Sequence, residues 1–204
     1  MNYTILVGFK LPKYVEKWII NIRRTIESKY GASKYEFHQP HITLYLNSFN
    51  ELEIIKKELI KIANLTPPFN IELEGIDSFN SDPILNETIL ILRVKKGTKN
   101  MKIIQKKIIK LIHHMRSEHY TEWFLSHNKI NPKYKENLIK TGLPISLDDY
   151  IFHTTICSIP KKFLNAVKKD VDSVKFTFKI NELSIFQIKD NRFIYLESFK
   201  LEGS

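Results

Sequence analysis

The sequence predicts an α+β fold of two similar lobes, and three observations carry that reading. Apolar residues alternate in some segments and recur at helical spacing in others. The order strand, long helix, short strand, short helix, strand occurs twice, although the residues themselves show no obvious repeat. The two short strands of the two rounds carry the same pattern, His-x-Thr. With 204 residues, 43% of them apolar and 26% charged, the chain is long enough for one generous core or two small lobes. Six Gly and 8 Pro exclude a collagen-like or low-complexity chain.

The elements follow in order. Residues 3–11 are a mostly apolar run that reads as a buried strand ended by Pro12. In residues 13–29, Val15, Trp18, Ile19, Ile22 and Ile26 share one helical stripe, and Lys17, Arg23, Arg24 and Glu27 are assigned to water. Gly31 breaks that helix. Residues 40–46 alternate as a strand, residues 50–65 return to helix period through Leu52, Ile55, Leu59 and Ile62, and Pro67-Pro68 stop them. Residues 69–79 alternate again. In the second round, residues 88–95 form a strand, and residues 100–116 form a helix with Met101, Ile104, Ile108, Leu111 and Met115 on one face. Residues 150–159 form the short strand, and a short helix starts at Pro160 with Phe163 and Val167 inward. Residues 175–188 and 192–201 are two closing strands around an Asp190-Asn191 turn. Residues 117–149 have no counterpart in the first round, so they read as an insertion able to form a lid.

Charge and cysteine narrow the function classes. The net charge of +10 attracts phosphates, but 27 of the 32 basic residues are Lys and Ile reaches 30, the skew of an AT-rich coding genome. Arg is the preferred bidentate phosphate ligand, so this charge permits an anionic substrate without demanding one. The single cysteine, Cys157, makes no internal disulfide, and no metal site can rest on cysteine. No apolar run approaches the roughly 20 residues that cross a bilayer, and residues 1–10 lack a signal pattern, so a cytoplasmic protein with no membrane partner is expected.

The chemistry sits on the two short strands. The first reads His41-Ile42-Thr43-Leu44-Tyr45-Leu46, the second Phe152-His153-Thr154-Thr155-Ile156-Cys157. Residues two apart on a strand share a face, so His41 projects with Thr43 and His153 with Thr155, and Tyr45 and Cys157 take the next places along the cleft edge. Ile42, Leu44 and Leu46 turn to the core; on the second strand Thr154 and Ile156 do, and a buried Thr154 hydroxyl needs a partner. If the lobes pack about a pseudo-twofold, four groups converge on one cleft, which is a phosphodiesterase layout. One neutral histidine takes a proton from an attacking hydroxyl, the other gives one to the departing oxygen, and the threonines hold non-bridging oxygens. No metal is required. A third His-x-Thr, His119-Tyr120-Thr121, falls in a helical pattern where residues two apart point about 200° from one another, so it does not converge. His113 and His114 end a helix, where the dipole favours a cation; His38 reads as a loop residue, and a nucleophilic Cys157 is unnecessary.

On these residues the chain resembles the 2H phosphoesterase superfamily, specifically its LigT-like branch of 2′-5′ RNA ligases and cyclic phosphodiesterases, whose members carry two His-x-Thr/Ser motifs on strands. The resemblance covers essentially the whole chain. It implies two antiparallel sheets with outer helices around a central cleft, His41 and His153 as the acid/base pair, Thr43 and Thr155 on the phosphate, and no cofactor. Thr154, where the family usually has an apolar residue, and the long insertion depart from the pattern. The expected activity is metal-independent hydrolysis of 2′-linked phosphodiesters in a small nucleotide, such as the cyclic dinucleotide cGAMP or 2′,5′-oligoadenylate. A viral or phage enzyme against immune messengers fits that class, and so does a low-GC bacterial protein. The rivals are an enzyme that opens RNA 2′,3′-cyclic phosphates or joins 2′-5′ bonds, and a nucleotide- or RNA-binding module without turnover. A monomer with a nucleotide substrate and no obligate protein partner is expected. In the insertion, Tyr120, Trp123 and Phe124 offer rings to a base, Trp123 above all, each such contact contributing about 1–3 kcal/mol; their alternative role is to anchor the insertion to the core.

Overall fold

Strand alternation and helical stripes give the computed structural model eight strands and six α-helices among its described residues, which are 2–31, 38–79, 88–127, 132–145, 147–171, 174–190 and 192–203. In chain order these are β1 (Tyr3–Lys10), α1 (Lys13–Tyr30), β2 (His41–Phe49), α2 (Leu52–Asn64), β3 (Phe69–Phe79), β4 (Thr88–Lys96), α3 (Thr98–Ile112), α4 (His119–His127), α5 (Pro132–Thr141), β5 (His153–Ile159), α6 (Leu164–Asp170), β6 (Lys175–Ile180), β7 (Glu182–Lys189) and β8 (Arg192–Lys200). The last turn expected of the third long helix tightens into a 3₁₀ turn at His113–Met115. The insertion contributes α4 and α5.

All pairings are antiparallel and the strand order is β6-β3-β4-β5-β2-β1-β7-β8. The two expected sheets are thus the two four-stranded halves of one sheet, joined at β2–β5 by a single ladder pair, Ile42↔Thr154. The strand expected over 175–188 is two strands, broken at Asn181: β6 pairs with β3 in one half, and β7 with β1 in the other. One residue spans only roughly 7 Å between its neighbours, so the sheet curls to bring β6 and β7 within reach. The expected turn at 190–191 lies partly outside the described residues, since Asn191 is not among them.

Helices cover one face, and they cross over. Helix α1 follows β1 yet packs on β5, and α3 follows β4 yet packs on β2. Their buried stripes are Val15, Ile19, Arg23 and Ile26 on α1, and Met101, Ile104, Gln105, Ile108 and Ile112 on α3. These meet Ile42, Leu44, Leu90, Leu92 and Ile156 from the strands, all with no measurable exposure. Arg23, assigned to water on its residue type, lies inside the stripe at 2% exposure.

Both motif strands carry a β-bulge at the same place. Val7 pairs with Tyr45 and Gly8 with Thr43, which leaves Leu44 as the extra residue; Leu90 pairs with Cys157 and Ile91 with Thr155, which leaves Ile156. An extra residue shifts the alternation by one, so every side chain beyond it changes face. At the first bulge the strands approach so closely that a methyl group on Gly8 would collide with the Ile42 carbonyl. Replacement Gly8→Ala is expected to cost about 1–3 kcal/mol of stability by forcing β1 from β2, read as a lower urea midpoint; an unchanged midpoint would show that the bulge can relax.

Candidate active site

The single seam pair fixes what lies around it. Residues flanking an antiparallel pair face one another across the strands, so His41 stands toward Thr155 and Thr43 toward His153. They also point to the face opposite Ile42 and Thr154, which are fully buried. All four groups of the two motifs therefore share the open face of the sheet at its midline. A cavity of about 140 Å³ opens there, lined by Arg23, His38, Gln39, Pro40, His41, Thr43 and Thr155, with Leu6, Leu46 and Phe193 as its apolar wall. His153 lies outside this lining, on the β5 side of the seam.

Both imidazoles are held in the same way. His41 Nδ1 lies 2.7 Å from the Gln39 carbonyl and His153 Nδ1 lies 2.8 Å from the Ile151 carbonyl. A carbonyl only accepts, so in each ring Nδ1 carries the hydrogen and donates it. Nε2 is left as the lone-pair nitrogen for a substrate. Each ring also packs on a phenylalanine: His41 is 4.6 Å from Phe193 and 5.2 Å from Phe186, and His153 is 5.0 Å from Phe79. Burial lowers the proton affinity of both rings. His41 is pushed down to about 4, by burial first and then by His38, His153 and Arg23, against the opposing pull of the Gln39 carbonyl. His153 is lowered by burial alone, against the Ile151 carbonyl.

The bulges correct two expectations. Tyr45 does not edge the cleft: Leu44 and Tyr45 both turn inward past the bulge, Tyr45 is fully buried, and its hydroxyl lies 3.4 Å from His113 Nδ1 on the helix side. Burial raises its proton affinity well above that of a free phenol. Leu46 takes the cleft position instead. Cys157 is fully buried for the same reason, and burial pushes its thiol up to about 12. Thr154 is fully buried as expected, but its hydroxyl finds no hydrogen-bond partner among the described residues.

Trp123 is 41% exposed on α4, stacked on Tyr120 at 6.0 Å, and is not among the cavity-lining residues. The described part of the insertion is tied to the far end of β2, where Asn47 Nδ2 donates to the Gly142 carbonyl at 3.2 Å and Arg116 donates to the Leu138 and Ile139 carbonyls. His119 and Thr121 sit in the first turn of α4, one exposed and the other buried, so the third His-x-Thr forms no site. His38, read as a plain loop residue, lines the cavity. Arg23 and Phe193 complete it; Arg23 was assigned to water on residue type although its spacing falls on the apolar stripe, and nothing in the sequence marked Phe193.

Among the described residues no group of three or more His, Cys, Asp or Glu comes together as a metal site, and no helix is long and apolar enough to cross a membrane. The profile of the 2′-5′ RNA ligase superfamily matches residues 11–192. The chain belongs to that family, the 2H phosphoesterases. Solved structures agree on the α+β fold. The protein TT0787 of Thermus thermophilus superposes with a TM-score of 0.63 at 16% identity, over 98% of this chain and 99% of that one. A structure described as a phosphoesterase gives 0.56 at 13% identity, over 98% and 99%. LigT of E. coli complexed with 3′-AMP gives 0.55 at 10%, over 98% of both chains. A search of curated protein sequences returns no match. Members of the 2H family are phosphoesterases or ligases, and this chain folds as they do.

Two outcomes follow from the burial. In the unfolded chain His41 binds a proton below its ordinary value of 6.5, in the folded chain only below about 4. Between those values the unfolded state holds more protons, so stability falls as pH is lowered from about 6.5 to about 4. His41→Asn is expected to flatten that slope in urea titrations; an unaltered slope would show that His41 is not its source. Thr154→Val removes a buried hydroxyl without a partner at nearly constant volume and is expected to add about 1 kcal/mol of stability, read as a higher urea midpoint.

Proposed function

We propose that this protein is a metal-independent phosphodiesterase that cleaves 2′-linked phosphodiester bonds in small nucleotides, the class that includes 2′,5′-oligoadenylate and cyclic dinucleotides with a 2′ linkage. The observation that carries the reading is the matched pair of histidines, each with Nδ1 fixed on a carbonyl two residues back and Nε2 left for substrate. One neutral Nε2 takes the proton from a water or ribose hydroxyl as that oxygen bonds to phosphorus. The other ring, protonated, gives its Nε2 hydrogen to the oxygen of the P–O bond that breaks. An anionic phosphate raises the proton affinity of a nearby imidazole, which offsets the lowering by burial and supplies the acid. The hydroxyls of Thr43 and Thr155 donate to the non-bridging oxygens as charge builds on them.

Size and lining support a small substrate. A cavity of about 140 Å³ lies well below the roughly 300–1,000 Å³ of sites that engulf a drug-sized ligand, which suits one nucleotide unit at a time. Leu6, Leu46 and Phe193 offer it an apolar wall. LigT of E. coli has been crystallised with 3′-AMP and with ATP, both mononucleotides. Membership of the 2′-5′ RNA ligase superfamily favours a second reading, in which the same site joins 2′-5′ bonds in RNA, and the same acid/base pair would also serve to open a 2′,3′-cyclic phosphate at an RNA end.

Incubation with 2′,5′-oligoadenylate, a 2′-linked cyclic dinucleotide and an RNA ending in a 2′,3′-cyclic phosphate, all in excess EDTA, separates the readings. Products from the first two support the proposal, products from the RNA end alone support the second reading, and binding without products leaves a sequestering module. His41→Ala and His153→Ala are each expected to lower kcat by about 10²–10⁴-fold with an unchanged circular dichroism spectrum. Thr43→Ala and Thr155→Ala are expected to cost about 10²-fold. Wild-type rates in either histidine variant would refute the acid/base pair.

A further inference from the structure

The two bulges next to the motifs are each held by one buried side chain from a helix of the other lobe. Gln105 Nε2 on α3 donates to the Leu44 carbonyl at 2.8 Å, and Arg23 Nε on α1 donates to the Ile156 carbonyl at 2.6 Å. These two residues are counterparts under the pseudo-twofold, and they differ in charge and reach. Arg23 Nη2 also donates to the Thr155 carbonyl at 3.1 Å, and Nη1 donates to the carbonyl of His38. The donors of a guanidinium lie in one rigid plane, so a single group fixes the second motif at 155–156 against the segment that leads into the first. The sheet itself supplies only the Ile42↔Thr154 pair at this seam. Arg23 is 2% exposed, and it lines the same cavity as His41, Thr43 and Thr155. A leucine would fill the apolar stripe of α1 without the cost of burying a cation.

We propose that Arg23 is a positioning residue of the site, holding the Thr155 strand and the His38 segment at a fixed separation across the seam. The proposal rests on the acid/base reading above. The charge of Arg23 has a second effect, because it opposes a proton on His41; the other groups that face His41 are Lys10, paired with it on β1, and the imidazoles of His38 before it and His153 on β5. Two further groups bear on it, for Glu16 on α1 takes a hydrogen bond from Gln39 at 3.1 Å, and Tyr195 on β8 lies under the Lys10 ammonium at 4.8 Å. On the other side of the seam, Arg93, paired with His153, is offset by Asp77 at 3.2 Å. Burial is the larger cause of the low proton affinity of His41, and the Arg23 guanidinium adds to it in the same direction, toward the neutral form that accepts a proton.

Two variants test this, each read in two ways. Arg23→Gln removes the charge and the fork; Arg23→Lys keeps the charge and loses the fork. Ring-proton NMR titration of the protein without substrate is expected to show the His41 midpoint higher in Arg23→Gln than in wild type, near wild type in Arg23→Lys, and little change at His153 in either. With adenosine 2′,3′-cyclic phosphate as probe, Arg23→Lys is expected to lose about 10²-fold in kcat with a smaller change in KM. A folded Arg23→Gln with wild-type His41 titration, or Arg23→Lys with wild-type kcat, overturns the proposal; should Arg23→Gln not fold, Arg23→Lys alone decides it. If the wild type turns over no phosphodiester, the acid/base reading fails, and the titration still decides the effect of Arg23 on His41.

Discussion

Strands β2 and β5 meet through one residue pair and then part, and this near-separation is the constraint on which the site depends. A fully paired seam would carry Ile42 and Thr154 in a flat ladder and leave no hollow between the motifs. Because the strands splay, His41, Thr43 and Thr155 line a hollow at the midline of the sheet, with His153 beside it on β5. The splay has a cost, since backbone groups near the bulges lose their ladder partners and must be satisfied otherwise. Gln105 and Arg23 satisfy two of those carbonyls from behind. The crossing of the helices makes this possible: a side chain can reach the bulge of the other lobe only because α1 lies on β5 and α3 on β2.

Much of this was legible in the chain. The repeated element order implied the pseudo-twofold, and period-2 alternation placed both His-x-Thr pairs in strands that the structure reproduces at His41–Phe49 and His153–Ile159. What stayed hidden is physical in origin. A β-bulge is a choice of hydrogen-bond register between two strands, so one strand read alone continues its alternation and sends Tyr45 and Cys157 to the wrong face. Residue type misplaces Arg23, although its spacing from Val15, Ile19 and Ile26 puts it on the stripe. Phe193 reaches His41 through sheet order, which no local pattern encodes.

The basic composition also divides sensibly once side chains are in place. Arg23 and Arg116 bond backbone carbonyls, and Arg93 bonds Asp77, so at least three of the five arginines are committed to fixed partners. Lysines such as Lys10 and Lys175 instead serve the surface, one over an aromatic ring and one against Glu72. The planar fork of Arg suits fixed geometry, and the flexible ammonium of Lys suits solvated charge.

Asn181 carries the chain from one half of the sheet to the other in a single step. With β6 stitched to β3 and β7 to β1, neither lobe is a continuous stretch of polypeptide, and neither can be excised as a module. The two motifs, far apart in the chain, are therefore joined in one unit through strands that follow both of them, β6 and β7.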